Sequence, residues 1–422
     1  MDNENSDHDS NAQGSHSAEV IFENVRIFNG SSDGLSMPSH VLVVGDRIAK
    51  ISDTKLSGNQ LGSRGTVVAG GGRTLMPGLI DAHVHLMMES VSRAVLFTSD
   101  IGYITLAAAK AAEKQLLRGF TTVRDMGGAS FALKRAIDEG IVVGPRIFPS
   151  GAFILQTGGH GDFGLPTDVP RDPCAPLSYT ARVGMFVIAD GYDQVLLRAR
   201  ENLRQGASQL KLMAGGGFSS SYDPLDVTQY TVAELHAAVE AADNWNTYVT
   251  VHAYTPSAIR KAISAGVKCI EHGHLIDEST AELLAEKGIW LCLQPFLDFD
   301  LASATDTAYK LASKYQIKTA WGTDNVFDAA RAERQGAMLA VLRRWYTPGE
   351  VLKMATGDNA ELLSLSGPRN TYSGKLGVVE EGALADLLLV DGDPMENMRV
   401  FEDPTSSLLI IMKGGKICKN VL

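Results

Sequence analysis

Eight times between residues 75 and 324 the chain passes from a short β-rich apolar run into a stretch with helical spacing. The runs cover residues 75–85, 120–124, 146–150, 209–213, 248–252, 268–272, 290–295 and 318–324. They are continuously apolar rather than strictly alternating, as expected of strands covered by helices on both faces. Residues Thr231 to Glu234 read as a capping box opening a helix, and the segments starting at Ser279 and at Thr347–Pro348 repeat that start signal. Eight strand-plus-helix units predict an α/β fold of the (β/α)8 TIM barrel type, with a doubly wound open sheet as the competing arrangement.

Short strand-like runs also stand before and after this region, at 20–28, 41–44, 47–51 and 67–68 and again at 382–390 and 408–412. Neither end has enough strands to close a core alone. The expectation is a small β-sandwich built from both termini, residues 19–76 and 373–422, flanking a barrel over 77–372. Residues 1–18, rich in Asp, Asn and Ser and including His8 and His16, read as a disordered tail. The connection from 151 to about 191 is long and rich in Gly and Pro, which suggests a substrate loop or lid.

With a net charge of −11 and no Lys/Arg cluster, the chain lacks a nucleic-acid footprint. No apolar stretch is long enough to span a membrane. Cys174, Cys269, Cys292 and Cys418 show no metal-binding or redox spacing, and Cys269 and Cys292 read as buried thiols. The expected location is cytoplasmic, or periplasmic or secreted if a leader was removed.

The chemistry gathers at strand ends, which in a barrel of this kind share one mouth. His83 and His85, two apart, leave the same face of a strand. Lys211 ends the fourth run, His252 the fifth, His272 the sixth and Asp324 the eighth. Neutral imidazoles and a carboxylate suit Zn2+ or a similar divalent ion. Lys211 needs a separate account, because an ammonium cannot ligate a cation.

The motifs Pro77 to His85, Gln209 to Lys211, Val251 to Ala253, Ile270 to Gly273 and Gly322 to Asp324 stand in the order of the amidohydrolase superfamily, which the chain resembles over nearly all of its length after residue 19. The resemblance implies a CO2-derived carbamate on Lys211 bridging two Zn2+ or other divalent ions. His83, His85 and Asp324 would hold one ion and His252 and His272 the other. It also implies that a hydroxide shared by the ions attacks an amide carbonyl while Asp324 serves as general base and returns the proton to the leaving nitrogen.

Thr157 to Gly161 and His252 to Pro256 look like the prolidase-like group and its ochratoxin-hydrolysing members. That likeness implies a small amide substrate, an N-acyl amino acid or Xaa-Pro dipeptide, including the phenylalanine amide of ochratoxin A. It places His160 and Tyr254 at the substrate. A cyclic-amide hydrolase of the imidazolonepropionase kind and a non-catalytic oligomeric scaffold are the competing readings, and a homo-oligomer is expected. His274 reads as a pocket or structural histidine, Arg124 and Asp125 as an internal ion pair. Gly215 to Gly217 reads as a mobile loop closing over substrate rather than a phosphate cradle.

Overall fold

The computed structural model describes residues 19–56, 65–172, 175–296 and 301–422. The expected tail over 1–18 and Cys174 lie outside the described residues. Five strands come first: β1 (Glu19–Ile27), β2 (Ser39–Val44), β3 (Arg47–Ser52), β4 (Thr66–Ala69) and β5 (Thr74–Pro77). A three-stranded parallel sheet follows, of β6 (Leu79–Val84), β7 (Phe120–Asp125) and β8 (Arg146–Pro149). Next are β9 (Phe153–Leu155), β10 (Phe186–Ile188), β11 (Leu210–Met213), β12 (Val249–Ala253), β13 (Cys269–His272), β14 (Trp290–Leu293) and β15 (Thr319–Trp321). They form a parallel sheet in the order β10-β9-β11-β12-β13-β14-β15. The chain closes with β16 (Leu387–Val390), β17 (Leu408–Lys413) and β18 (Lys416–Asn420).

Every residue of β6, β7 and β11 to β14 is buried, because helices cover these strands. Several helices begin where a side-chain acceptor meets free backbone N–H groups. Thr231 and Glu234 form the expected capping box, and Thr347 caps a helix with Pro348 at its first position. The segment at Ser279 differs from expectation. Asp277 caps that helix by accepting from Thr280 N, so the helix is Glu278–Lys287. The connection after 151 also differs: it carries β9 and β10, three residues each, which are too short to show a period in sequence.

The two parallel sheets meet at both margins. Ser208 N donates to Pro149 O at 2.8 Å on one side, and Asp324 N donates to His83 O at 2.8 Å on the other. The second approach depends on Gly322, whose added Cβ would stand 2.5 Å from His83 Cβ. The two ends of the chain meet in one mixed sheet, where β5 pairs antiparallel with β16 in the order β18-β17-β16-β5-β1-β2-β3, and β4 lies beside β1. Val20, Phe22, Val41, Ile48, Leu387 and Ile410 pack into its core. The break between β5 and β6 falls at Gly78, where a Cβ would collide with Thr121. Among the described residues no helix is long and apolar enough to cross a membrane.

A largely buried ion pair ties the terminal sheet to the parallel sheets. Arg146 on β8 donates to Asp386 through Nε at 2.8 Å and Nη2 at 3.1 Å, and Gly414 N donates to the same carboxylate at 2.6 Å. Asp386→Ala strands a buried guanidinium, so urea unfolding should show a loss of about 3 kcal/mol. Unchanged stability would mean that the pair does not couple the two parts.

Candidate active site

His83 lies on β6 and His85 just beyond its end, and their ring centroids are 5.3 Å apart, as alternation along a strand requires. Lys211 comes from β11, His252 from β12 and His272 from the last position of β13. Asp324 is not in a strand. It follows β15 by three residues with φ of 51°, in the left-handed region. His272 is also left-handed, with φ of 77°. Two non-glycine residues in that region cost about 1–3 kcal/mol each, which the surrounding packing must sustain. All six groups line one cavity of about 230 Å3, together with His160, Tyr254, Phe153, Phe218 and Arg331.

Each of the four clustered imidazoles has one ring nitrogen committed to an acceptor. His83 Nδ1 donates to Glu271 Oε2 at 2.8 Å, and His85 Nδ1 to Gly127 O at 3.3 Å. His252 Nε2 donates to Gly216 O at 2.9 Å, and His272 Nδ1 to Gln294 Oε1 at 2.6 Å. A neutral imidazole has one N–H, so in each ring the other nitrogen is left with a lone pair. His83 Nε2 and His85 Nε2 lie 3.2 and 3.3 Å from Asp324 Oδ1, and His272 Nε2 lies 4.0 Å from Asp324 Oδ2. Among the described residues His83 Nε2, which is buried, has no hydrogen-bond partner.

The electrostatics agree with a cation at this point. Burial, reinforced by neighbouring imidazoles, holds His252 and His272 well below the usual histidine range, and burial lowers His85. Burial opposes a charge on His83 too, yet Asp324 and Glu271 on either side hold it above its ordinary value, favouring positive charge at that ring. Burial likewise opposes ionisation of Asp324, but His83 and His85 hold it well below the carboxylate range. His83, His85 and Asp324 offer ligand atoms within 4.8 Å of one another, the donor set of a divalent-metal site. His83, Glu271 and Cys292 are equally close. There, however, Glu271 is bound to Arg124 Nη2 at 2.7 Å, and burial pushes the Cys292 thiol well up, so that cluster is the poorer cation site.

Lys211 is 1% exposed, and among the described residues it has no side-chain hydrogen bond or ion pair. Burial lowers its pKa, which favours the neutral amine. His160 stacks on His252 at 4.0 Å, with Nδ1 on Asp223 Oδ2 at 2.7 Å. Tyr254 stacks on His272 at 4.9 Å, and burial keeps its phenol protonated far above its usual range. The structure thus brings together all eight residues singled out in the sequence.

Residues behind the site were not singled out for these roles. Glu271, Gln294 and Asp223 orient His83, His272 and His160. Only the position of Glu271 next to His272 was a usable signal. Arg124 pairs with Glu271, while Asp125 accepts from Leu86 N and Gly127 N, so the expected internal ion pair has a different partner. His274 is structural: its Nε2 lies 2.8 Å from Gln294 O and it does not line the cavity. Two glycines of the run are required by close approach. A Cβ on Gly216 would strike Pro224 O and one on Gly217 the His160 ring.

The sequence profile described as the amidohydrolase family matches residues 74–418. Ochratoxinase of Aspergillus niger is 31% identical over 416 residues, spanning 92% of this chain and 84% of that protein. A crystal structure of a prolidase complexed with N-methylphosphonate-L-proline shares 31% identity at a TM-score of 0.86, covering 96% of this chain and 100% of that one. The crystal structure of A. niger ochratoxinase superposes at a TM-score of 0.83 with 27% identity, covering 96% of each chain.

A ligand that binds only the native state stabilises it by mass action, about 4 kcal/mol at a thousandfold excess over Kd. Exhaustive chelation should therefore lower the thermal midpoint, and zinc should restore it in the native chain but not in His83→Asn. A midpoint indifferent to chelator and metal would count against a metal site here.

Proposed function

The chain belongs to the amidohydrolase family, and from that premise we propose that it is a metal-dependent hydrolase of N-acyl amino acids and Xaa-Pro dipeptides, the phenylalanine amide of ochratoxin A included. That it is a hydrolytic enzyme acting on amide bonds follows from the family and its ochratoxinase and prolidase relatives. The observation that carries the finer reading is the set of four imidazoles whose N–H groups are all taken from behind. We read β6, β7, β8 with its continuation β9, and β11 to β15 as one (β/α)8 ring over residues 77–372, with β10 an addition beside β9, and the mixed terminal sheet as a β-sandwich of 19–76 and 373–422.

In this reading His83, His85 and Asp324 hold one divalent ion, His252 and His272 the other, and Lys211 lies between. When bound, such ions supply Lewis acidity toward a carbonyl and lower the pKa of water. Burial lowers the pKa of Lys211, which favours the unprotonated amine whose lone pair can attack CO2. The new N–C bond releases one proton and leaves a carbamate anion. Its negative charge suits a site between cations, which an ammonium does not.

Asp324 faces His83 and His85 through Oδ1, which leaves Oδ2 to receive a proton and return it to the leaving nitrogen. An amide nitrogen departs poorly as an anion, so this return is needed for bond cleavage. Tyr254, protonated at all working pH values, can donate to the developing oxyanion. His160 is held by Asp223 from behind, and its Nε2 lies 3.2 Å from Ser219 Oγ. In this reading it meets the substrate carboxylate. The aromatic side chains of Phe153, Phe163 and Phe218 supply an apolar wall for the acyl or amino-acid side chain.

A panel of N-acyl amino acids, Xaa-Pro dipeptides, cyclic amides and ochratoxin A, assayed alongside metal analysis, tests this reading. Turnover of the open-chain amides is expected, and turnover of ring amides alone would overturn it. Asp324→Asn should lower kcat by about 10²–10⁴ while the other ligands retain metal. Normal kinetics in that variant would remove Asp324 from the proton transfer. Lys211→Ala should drop the metal content from two ions per chain, and an undiminished content would refute the bridging role.

A further inference from the structure

A second cavity, of about 240 Å3, is lined by residues of the helix Ile101–Leu117 and the short helix Ala329–Glu333. Its apolar lining is Ala107, Ala111, Ala329 and Ala332, and its polar lining includes Lys110, Lys114, Arg118, Glu89 and Glu333. Three cations thus stand against two carboxyl groups. The lysines are engaged only in exposed pairs, Lys110 with Glu113 at 2.5 Å and Lys114 with Glu333 at 2.8 Å. Such pairs contribute little and exchange partners readily.

Arg118 is different. It is partly buried, and its Nε and Nη2 both donate to the neutral Gln335 Oε1, at 3.1 and 3.0 Å. Among the described residues no carboxylate lies within ion-pair distance of it. Burial lowers its pKa against the opposing charges of Glu89, Glu333 and Asp81, none of which pairs with it directly. An anion with a planar pair of oxygens is the partner that a guanidinium fork matches best. The alanines leave space beside it for an apolar group, where larger side chains would have filled the gap.

We propose that this rear cavity binds a small monocarboxylate with a short apolar tail, its carboxylate on Arg118 and Lys114 and its tail over the four alanines. The site is wired to the catalytic cavity. Gln335, which accepts from Arg118, donates to Asp81 Oδ2 at 2.8 Å, and Asp81 in turn accepts from His83 N at 3.0 Å and from Thr323 Oγ1 at 2.7 Å. A ligand that takes over the charge of Arg118 therefore acts on the segment carrying His83 and Asp324. The proposal does not depend on which amide the enzyme cleaves.

Crystals of the full chain soaked in 4-bromobutyrate test the site directly through the anomalous signal of bromine. A bromine peak between the two helices, with butyrate affinity falling at least tenfold in Arg118→Gln and in Ala329→Leu by calorimetry, is the expected result. Ala329 is exposed, so the leucine variant keeps the test open should the arginine variant not fold. Bromine found only in the catalytic cavity, butyrate affinity unchanged in Ala329→Leu, or displacement of butyrate by equal concentrations of inorganic phosphate would each overturn the proposal.

Discussion

The four N–H donors of His83, His85, His252 and His272 are spent on acceptors behind them, and the arrangement of the site depends on that commitment. A free imidazole can present either nitrogen and rotates to suit; a ring held by a carboxylate, an amide oxygen or a carbonyl presents one lone pair in one direction. The most demanding of these supports is Glu271. It is fully buried and accepts from Arg124, His83 and Thr250, and burial opposing its charge is overcome chiefly by the Arg124 guanidinium. Losing Arg124 would leave a buried carboxylate uncompensated, so the pair fixes His83 at the cost of burying two charges.

Strict strand alternation would send Glu271 and His272 to opposite faces of β13. Both nevertheless reach His83: Glu271 through its Nδ1 at 2.8 Å, and His272 with ring centroids 5.3 Å apart. The left-handed backbone at His272 reconciles the two. Asp324 follows the same logic, since leaving the extended conformation after β15 turns its carboxylate toward His83 and His85. Strain at these two positions is thus part of how these side chains converge.

Much of this was legible in the sequence because period and position carry it. Two histidines at alternate positions, and single His, Lys or Asp residues at run ends, needed only the rule that barrel strands present their C-terminal ends at one mouth. The supports were not legible. Glu271 and His83 are 188 positions apart, and Gln294 and Asp223 belong to no local pattern. The strands β9 and β10 escaped because three residues contain too little periodicity to distinguish them from loop. The glycines at 215–217 read as freedom of motion in one dimension, whereas in three Gly216 and Gly217 also make room for Pro224 and His160. The cap at Asp277 was missed for a smaller reason: Ser279 and Asp277 both offer an oxygen, and only the backbone decides which one the helix uses.

In the proposed function these imidazoles, with Lys211 and Asp324, hold divalent cations that the hydrolysis requires. Anomalous diffraction at the zinc edge from zinc-loaded crystals tests it most directly. Two peaks are predicted, one among His83, His85 and Asp324 and one beside His252 and His272, with density continuing from Lys211 Nζ toward both. No peak at these residues in protein that hydrolyses its substrate at full rate would contradict it.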